Sequence, residues 1–234
     1  MKVRSQSSSI PKKHSRLAKP TPGKEESTWT CAGVLRELSG ISTPMLHKFA
    51  NKIGRNHELA KDLWKSGIHE AKILAALIGE PEKVTSTEMD RWARAFDSWG
   101  VVDATCCYLY TYSVFAWEKV HVWSNRPELY IKRAGFSLVA YLSYKDKLAP
   151  DAKFVDFLRV IECQSEDERP SVKKAVNWAL RNIGKRNRRL NRAAIRVAEK
   201  LRRRDSRAAR WIAADALREL RSEAVQQRLV RKSA

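Results

Sequence analysis

Trp99 and Asp103 lie four residues apart in a short, otherwise apolar segment. If this segment is helical, the spacing places both side chains on one face, one turn apart. Aromatic faces can stack on nucleic-acid bases or attract a cationic base. Trp92 and Phe96 extend the aromatic stripe toward the N-terminus, provided that the helix is continuous through Gly100. The alternative is an aromatic core stripe that ends in an aspartate at a helix start, and the residues alone leave it open.

Arg133 and Trp178 are two further candidates for a binding site. Arg133 follows Lys132 at the start of an apolar helical segment, and Trp178 lies in the segment 172–181 among Val and Ala residues that form a packing face. Each has a structural alternative. Arg133 would equally suit a surface cation that pairs with an acid, and an isolated tryptophan such as Trp178 would equally suit a core position.

The positive charge of the chain is concentrated at its two ends. The 234 residues include 46 Lys and Arg against 26 Asp and Glu, a formal net charge of +20. Residues 1–27 carry a net charge of +5, residues 28–170 carry none, and residues 171–234 carry +15. Such a surface attracts polyanions, chiefly nucleic acid or an anionic membrane, whereas a generic solubility surface better explains a scattered excess. The cations that suit phosphate contacts are Lys173, Lys174, Arg181, Lys185, Arg186, Arg188 and Arg189, with Arg202, Arg203, Arg204 and Arg207 as further candidates.

Several functional classes are excluded by what the sequence lacks. It has no phosphate-binding Gly loop, Walker sequence or Gly-x-Ser-x-Gly elbow, which removes most NTPases and hydrolases. His69 and Glu70 are not followed by a second metal-ligating histidine, since position 73 is Ile73, and we interpret the pair as hydrogen-bonding groups at a helix start. The four cysteines lack zinc-ligand spacing, so we expect free thiols, no metal and a reducing, cytoplasmic location.

Almost every segment after the first 27 residues has helical periodicity, with apolar residues at spacings of three and four. Thr85 and Glu88 form the pattern of a capping box. We predict helices near 30–38, 44–54, 58–78, 87–97, 100–119, 128–143, 151–163, 170–184, 189–203 and 206–222. Short successive helices favour an all-α fold, an α-solenoid of HEAT-like helical repeats with a concave face for a duplex, although a compact bundle fits almost as well.

We divide the chain into three parts: a flexible basic arm over 1–27, a repeat domain over 28–222 and a basic C-terminal tail over 223–234. The arm is rich in Ser, Pro, Lys and Arg and has few apolar residues that could form a core. A disordered arm that follows DNA is the simplest interpretation of that composition, and a transit peptide is the alternative.

Four stretches, in order along the chain, resemble the AlkD-like DNA alkylation repair family of HEAT-like repeat alkylpurine glycosylases. Residues 63–72 are similar to the family's Leu-Trp-x-Ser-x-x-His-Glu-x-Arg segment, and residues 98–103 to its Asn-Trp-Asp-x-x-Asp segment. Residues 131–134 resemble its Arg-Arg-Ala segment, and residues 172–181 resemble Val-x-Lys-Ala-x-x-Trp-x-Leu-Arg. The resemblance covers roughly residues 55–200. Gly100 departs from it where an acid is usual, and Tyr130 where a tryptophan is common.

The resemblance implies excision of cationic N3- and N7-alkylated purines from double-stranded DNA, with no metal or redox cofactor. It implies that Asp103 is the catalytic aspartate, that Trp99 and Trp178 flank it, and that Arg133 contacts DNA. Loss of the alkylated base leaves an oxocarbenium-like sugar, which a nearby carboxylate would stabilise while orienting water. The resemblance further implies a lesion handled while still stacked, and thus no deep base pocket.

Three hypotheses remain. The superfamily includes members that bind DNA without excision, so the resemblance leaves the activity open. The first is a monofunctional glycosylase that uses Asp103 and acts as a monomer. The second is a non-catalytic HEAT-repeat module that binds distorted or branched DNA. The third is a helical protein-interaction scaffold with basic tails, in which the tryptophans would be core residues.

Overall fold

The computed structural model describes residues 29–38 and 40–231, and this part of the chain contains thirteen α-helices, one 3-10 turn at Tyr110–Tyr112 and no strand. The helices are α1 (Cys31–Glu37), α2 (Thr43–Ile53), α3 (His57–Lys65), α4 (His69–Ile78), α5 (Ser86–Arg94), α6 (Trp99–Tyr108), α7 (Ala116–Ser124), α8 (Leu129–Lys145), α9 (Asp151–Gln164), α10 (Pro170–Gly184), α11 (Arg188–Arg202), α12 (Arg207–Leu220) and α13 (Glu223–Arg231). The predicted all-α fold is confirmed for these residues. The predicted arm over 1–27 lies outside them.

The helices pack in two layers. Helices α2, α4, α6, α8, α10 and α12 pack side by side in chain order, and we call them layer B. Helices α1, α3, α5, α7, α9 and α11 form layer A, in which α3, α5, α7, α9 and α11 each pack on layer B and α1 packs on α3. The apolar core lies between the two layers, as expected when amphipathic helices bury one stripe each.

Hydrogen bonds from α8 to α10 and from α10 to α12 recur at the same offset along the chain. Arg133 Nη1 donates to the backbone carbonyl of Ser171 at 2.9 Å, and Asn177 Nδ2 donates to Asp215 Oδ2 at 2.6 Å, each across 38 residues. A fixed offset of this size is typical of a solenoid built from helix pairs, close to the length of a HEAT repeat. The period is thus visible in the contacts although the sequence hardly repeats itself.

Capping side chains determine where helices near the candidate site begin. Ser98 Oγ accepts a hydrogen bond from the Val101 backbone N–H at 3.3 Å, so α6 begins at Trp99. The predicted start at Thr85 is confirmed, since Thr85 Oγ1 accepts from the Glu88 N–H at 3.1 Å. Each cap satisfies a backbone donor that has no partner within the helix.

Two of the predicted helices are divided in the structure. The prediction of one helix over 58–78 is wrong, because Gly67 adopts a φ of +75° between α3 and α4, in a region that L side chains rarely adopt. The prediction over 100–119 is also wrong, because α6 ends at Tyr108 and the 3-10 turn leads into α7. At each break the chain crosses from one layer to the other, so both errors merged two helices of different layers.

The predicted continuation of the aromatic stripe through Trp92 and Phe96 is wrong as well. Helix α5 ends at Arg94 and α6 begins at Trp99, so the two aromatics do not share a helix with Asp103. Trp92 stacks on Trp64 with 4.2 Å between ring centroids and 8° between ring planes, and Phe96 packs edge-on against the same ring. Both residues are therefore part of the core.

Residues 223–231 of the predicted basic tail over 223–234 are helical, and residues 232–234 lie outside the described part of the chain. Glu223–Arg231 form α13, which packs on α12 and buries Val225 and Leu229. The apolar residues four apart supply the helix with a packing face, and this outweighed the basic composition.

Candidate nucleic-acid interface

The carboxylate of Asp103 lies on layer B, where α8 holds it in a fixed orientation. Arg133 Nη2 donates to Asp103 Oδ2 at 2.6 Å, and Arg133 Nε donates to Oδ1 at 3.2 Å, which makes a two-point ion pair. Ser137 Oγ also donates to Oδ1, at 2.9 Å. The Asp103 side chain is 20% exposed and that of Arg133 is 9% exposed. The carboxylate is therefore accessible from solvent, whereas the guanidinium is largely buried beneath the surface.

Arg133 joins three neighbouring helices of layer B. Besides its pair with Asp103 on α6, its Nη1 donates to the backbone carbonyl of Ser171, at the start of α10. These contacts engage all three nitrogens of the guanidinium within the protein. Contact between Arg133 and DNA stays a prediction, since a phosphate would have to compete with Asp103 and Ser171.

A second ion cluster fixes the start of α10 against the start of α8. Asp167 accepts hydrogen bonds from Lys132 Nζ at 3.1 Å and Arg169 Nη2 at 2.6 Å, and Arg169 Nη1 donates to the carbonyl of Pro127 at 2.7 Å. Hydrogen bonds from Arg169, assisted by Lys132, outweigh the opposing effect of burial and lower the pKa of Asp167 to about 2. Lys132, a predicted DNA contact, thus lies in a partly buried ion pair that helps to position Ser171.

Trp99 projects from the first turn of α6 and is 64% exposed. Trp99 and Asp103 share one helix at a spacing of four, as predicted. His69, the first residue of α4, lies beside this helix start, with its Nδ1 3.4 Å from Ser98 Oγ. A Cβ built on Gly100 would lie 3.6 Å from the His69 ring, so an acidic side chain at position 100 would extend toward that histidine. The cap at Ser98 preserves the helix start despite the glycine.

Trp178 is half-buried on α10 and packs edge-on against Tyr141 of α8, with 4.9 Å between ring centroids. Tyr141 follows Ser137 by four residues, and therefore lies on the same face of α8 as the hydroxyl that binds Asp103. Burial, with smaller contributions from nearby groups that include Asp103, raises the pKa of the Tyr141 hydroxyl. Trp178 is thus connected to the Asp103 surface through Tyr141.

Sequence reasoning missed most of a polar and aromatic stripe along α8. Arg133, Ser137, Tyr141 and Lys145 recur every four residues and so share one face. Lys145 Nζ lies 4.8 Å from the centroid of the Tyr112 ring, within cation–π range. The four-residue spacing itself was a usable signal for a shared face. The apolar residues between these positions, however, favoured an interpretation of α8 as a core helix.

Two predicted DNA contacts on α10 are paired with carboxylates of α12. Arg181 forms an ion pair with Glu219 and lies 3.5 Å from Asp215, and Lys185 Nζ lies 2.7 Å from Glu219. Burial alone would raise the pKa of Glu219, but Lys185 and Arg181 outweigh it, so the net shift is downward. The charges on this part of layer B are therefore largely balanced within the protein.

Arg186, another predicted DNA contact, is bound mainly by backbone groups of the protein. Its guanidinium donates to the carbonyls of Ser143 at 3.0 Å and Ala149 at 2.8 Å, and stacks 4.5 Å from the centroid of the Phe154 ring. Burial lowers the pKa of Arg186. The residue holds the end of α8 against the end of α10.

The remaining predicted cations lie on two different layers. On α10, in layer B, Lys174 is exposed and Lys173 is half-buried, with its Nζ 5.3 Å from the Trp211 ring centroid. Arg188 and Arg189 are exposed in the first turn of α11, in layer A. The basic C-terminal quarter therefore does not form one continuous surface around Asp103.

Residues 29–38 and 40–231 offer neither a metal-binding cluster nor a helix that could span a membrane. These residues contain no cluster of three or more His, Cys, Asp or Glu side chains that could hold a metal ion. None of their helices combines the length and apolarity required to cross a membrane.

Comparison with known proteins gives a family and a fold. The sequence matches, over residues 23–220, the family described as DNA alkylation repair enzyme. A solved structure with 20% sequence identity superposes with a TM-score of 0.65, covering 85% of this chain and 89% of that chain. It is described as representing a new family of proteins related to the HEAT-like repeat DNA glycosylases with affinity for branched DNA structures. No curated protein matches this chain significantly. The fold is thus the predicted HEAT-like solenoid rather than a compact bundle, and the chain belongs to the DNA alkylation repair enzyme family.

Proposed function

We propose that the chain is a monofunctional glycosylase that removes cationic N3- or N7-alkylated purines from double-stranded DNA. The observation that carries the proposal is an oriented, solvent-accessible carboxylate, Asp103, one helical turn from the exposed ring of Trp99. As the glycosidic bond breaks, positive charge develops on the sugar, and a fixed carboxylate beside it stabilises that charge. DNA would lie on the exposed face of layer B, which we take as the concave face, and one chain would suffice.

The contacts of Asp103 leave room for this role. A carboxylate has about four acceptor positions. Arg133 Nε and Ser137 Oγ occupy two positions on Oδ1, and Arg133 Nη2 occupies one on Oδ2. One acceptor position on Oδ2 therefore remains for a water molecule that attacks the sugar. The hydrogen bonds also hold the carboxylate in one direction, which is what electrostatic stabilisation of a transition state requires.

The aromatic residues would hold the cationic part of the lesion. The exposed face of Trp99 can attract a cationic base or sugar, and an aromatic face gains most from a cation that has lost its water. Trp178 would contact the lesion from the side opposite to Trp99, with its ring held in place by Tyr141. Lys173 and Lys174 are the predicted layer B cations for which we propose phosphate contacts.

The experiment that tests the proposal uses a duplex with a single 7-methylguanine, followed by alkaline cleavage of abasic sites. Wild-type protein should produce strand cleavage, and Asp103→Asn should reduce the excision rate by roughly 100-fold or more while duplex binding persists. Asp156→Asn, which removes an exposed carboxylate from α9 in layer A, is the matched control and should excise normally. Absence of cleavage by wild-type protein that still binds the duplex would refute excision of this lesion.

A second candidate is DNA binding without excision. It is favoured by the pairing of both Asp103 oxygens with Arg133, since a partly neutralised carboxylate stabilises a cation less strongly. It is also favoured by the similar structure described as having affinity for branched DNA. Titration of a four-way junction and a linear duplex of the same length at several salt concentrations distinguishes the candidates. A strong preference for the junction, together with inactivity on 7-methylguanine, would establish the second.

A further inference from the structure

Helix α11 has a buried apolar face and an exposed face dominated by arginine. Its buried side packs against α9, α10 and α12 through Leu190, Ala194, Val197, Ala198 and Leu201. Arg189, Arg192, Arg196 and Arg203 recur at spacings of three, four and seven residues, which places them together on the opposite side, and all four are exposed. We call these four residues the α11 arginine stripe. Because α11 belongs to layer A, the stripe points away from layer B and from Asp103.

The arginines of the stripe have almost no partners within the described residues. Arg192, Arg196 and Arg203 form neither an ion pair nor a side-chain hydrogen bond with any residue among 29–38 and 40–231, and Arg189 lies only within 4.0 Å of Asp151. The one acid in residues 188–203 is Glu199, which pairs with Arg221 on the other side of the α11–α12 turn. Glu199 lies on the same face, seven residues after Arg192, but its carboxylate is paired with Arg221, so the stripe presents a net positive charge to the solvent.

Helix stability does not explain the stripe. Arg189 lies in the first turn of α11, where the positive end of the helix dipole disfavours a cation. Arg192 and Arg196 are four residues apart, a spacing at which like charges repel across one turn. Only Arg203, at the C-terminal end, has a position that the dipole favours. A bound polyanion would offset all of these unfavourable interactions.

We propose that the α11 arginine stripe binds the phosphate backbone of a second DNA duplex. From residue 189 to residue 203 the helix rises about 21 Å, and the stripe can therefore follow several successive phosphates along a strand. The planar guanidinium donates two parallel hydrogen bonds to a phosphate, for which arginine is better suited than lysine. With one duplex on layer B and another on layer A, a single chain holds two DNA segments on opposite sides.

The composition of the stripe favours a duplex over other polyanions. A helix that inserts into an anionic membrane requires large apolar residues beside its cations. Sites for single-stranded nucleic acid usually add aromatic residues on which unpaired bases stack. The exposed side of α11 has no aromatic residue, and the two apolar residues beside the stripe, Ala193 and Ile195, are half-buried. The other residues beside the stripe are charged: Arg188, Glu199, Lys200 and Arg202. Arginine contacts with phosphate, without readout of bases, are sufficient for duplex binding.

A two-colour bridging experiment tests the proposal. An undamaged duplex of about two helical turns (roughly 20 base pairs) is fixed to beads, and the protein and a fluorescent copy of the duplex are added. Wild-type protein should retain fluorescence on the beads. The variant R192Q/R196Q/R203Q should lose at least tenfold of that signal while still binding the first duplex. Each lost phosphate contact reduces the slope of log binding constant against log salt concentration by about one. The slope measured for bridging should therefore fall by about three in the triple variant.

The matched control is R36Q/R94Q/R159Q, which removes three exposed arginines from other layer A helices and leaves the stripe intact. It should bridge as well as wild-type protein. Equal bridging by wild-type protein and the stripe variant, or equal loss in both triple variants, would overturn the proposal. Preferential displacement of the fluorescent duplex by phosphatidylserine vesicles or oligo(dT) would also overturn it. Excision at Asp103 does not enter this readout, so failure of the glycosylase proposal leaves the bridging result interpretable.

Discussion

The cations of α10 and those of α11 are neighbours in the sequence but have opposite environments. Arg181 on α10 and Lys185, which directly follows this helix, are paired with Glu219 of the next layer B helix. Arg192 and Arg196 on α11 have no such partner within the described residues. The same side-chain types therefore stabilise contacts between repeats at the end of α10 and are exposed to solvent on the outer face of α11.

This difference shows why the net charge of a segment does not locate its binding surface. The segment 171–234 carries +15, yet two of its cations, Arg181 and Lys185, are paired with carboxylates of α12. An ion pair between neighbouring helices fixes the geometry of a repeat, whereas an unpaired cation contributes to the external field. If the distinction is correct, removal of a layer B cation should cost folding stability, and removal of an α11 cation should not.

The largest expected effect is that of Arg133→Met. The substitution removes the guanidinium that joins α6, α8 and α10, and leaves Asp103 with a single described hydrogen bond, from Ser137. We expect the free energy of unfolding to fall by about 3 kcal/mol, the lower part of the range for a broken buried ion pair, because Asp103 is partly exposed. Urea denaturation measures the change, with Arg159→Met as the control. A loss below about 1 kcal/mol would mean that this pair behaves like a surface pair.

A smaller effect is expected from Asp167→Asn, and it should depend on pH. The folded-state pKa of about 2 lies below the ordinary value of 3.8, so the ionised group stabilises the fold above about pH 4. That contribution is lost as the pH falls from about 4 toward 2. The variant should therefore be less stable than wild type by about 2 kcal/mol at pH 6, and by about half as much at pH 3. Urea denaturation at both pH values measures this. A difference between wild type and variant that does not change with pH would contradict the ion-pair interpretation.

The smallest expected effect on stability is that of R192Q/R196Q/R203Q. These side chains are exposed and unpaired in the described part of the chain, so the free energy of unfolding should change by no more than about 0.5 kcal/mol. A slight increase is compatible with relief of repulsion between Arg192 and Arg196. Thermal and urea denaturation of the variant beside wild type measure the change. Destabilisation by more than about 1 kcal/mol would show that the stripe makes contacts within the protein and would remove the contrast with α10.

The sequence was sufficient to identify the helical fold and much of the candidate site. The four-residue spacing of Trp99 and Asp103 predicted their shared helix face, because the period of a helix is a property of the backbone. The same reasoning failed for Trp92 and Phe96, since nothing in the apolar pattern distinguished a helix from two helices joined by a turn. Gly67, with its positive φ, was the local signal for one of the missed breaks.

The ion-pair and hydrogen-bond partners of the cations could not be predicted from the sequence. Helical periodicity tells which residues share a face, but not which residue of the next helix lies opposite. Arg133 meets Ser171, and Arg181 meets Glu219, only because the repeat brings residues 38 apart into register. That offset depends on the lengths of the turns and on the packing of whole helices, and the weak similarity between repeats hid it.

The contact of each helix pair with its neighbours also bears on how the chain folds. In a solenoid each repeat contacts only its neighbours, so folding can begin at any repeat and spread in either direction. The Asp103 cluster takes its members from α6, α8 and α10, within residues 103–171. Its assembly therefore needs only the central repeats, and fraying of the helices at either end would leave the carboxylate in place. A chain that unfolds from its ends would keep the central repeats folded and would first lose the folded position of the arginines on the last repeat.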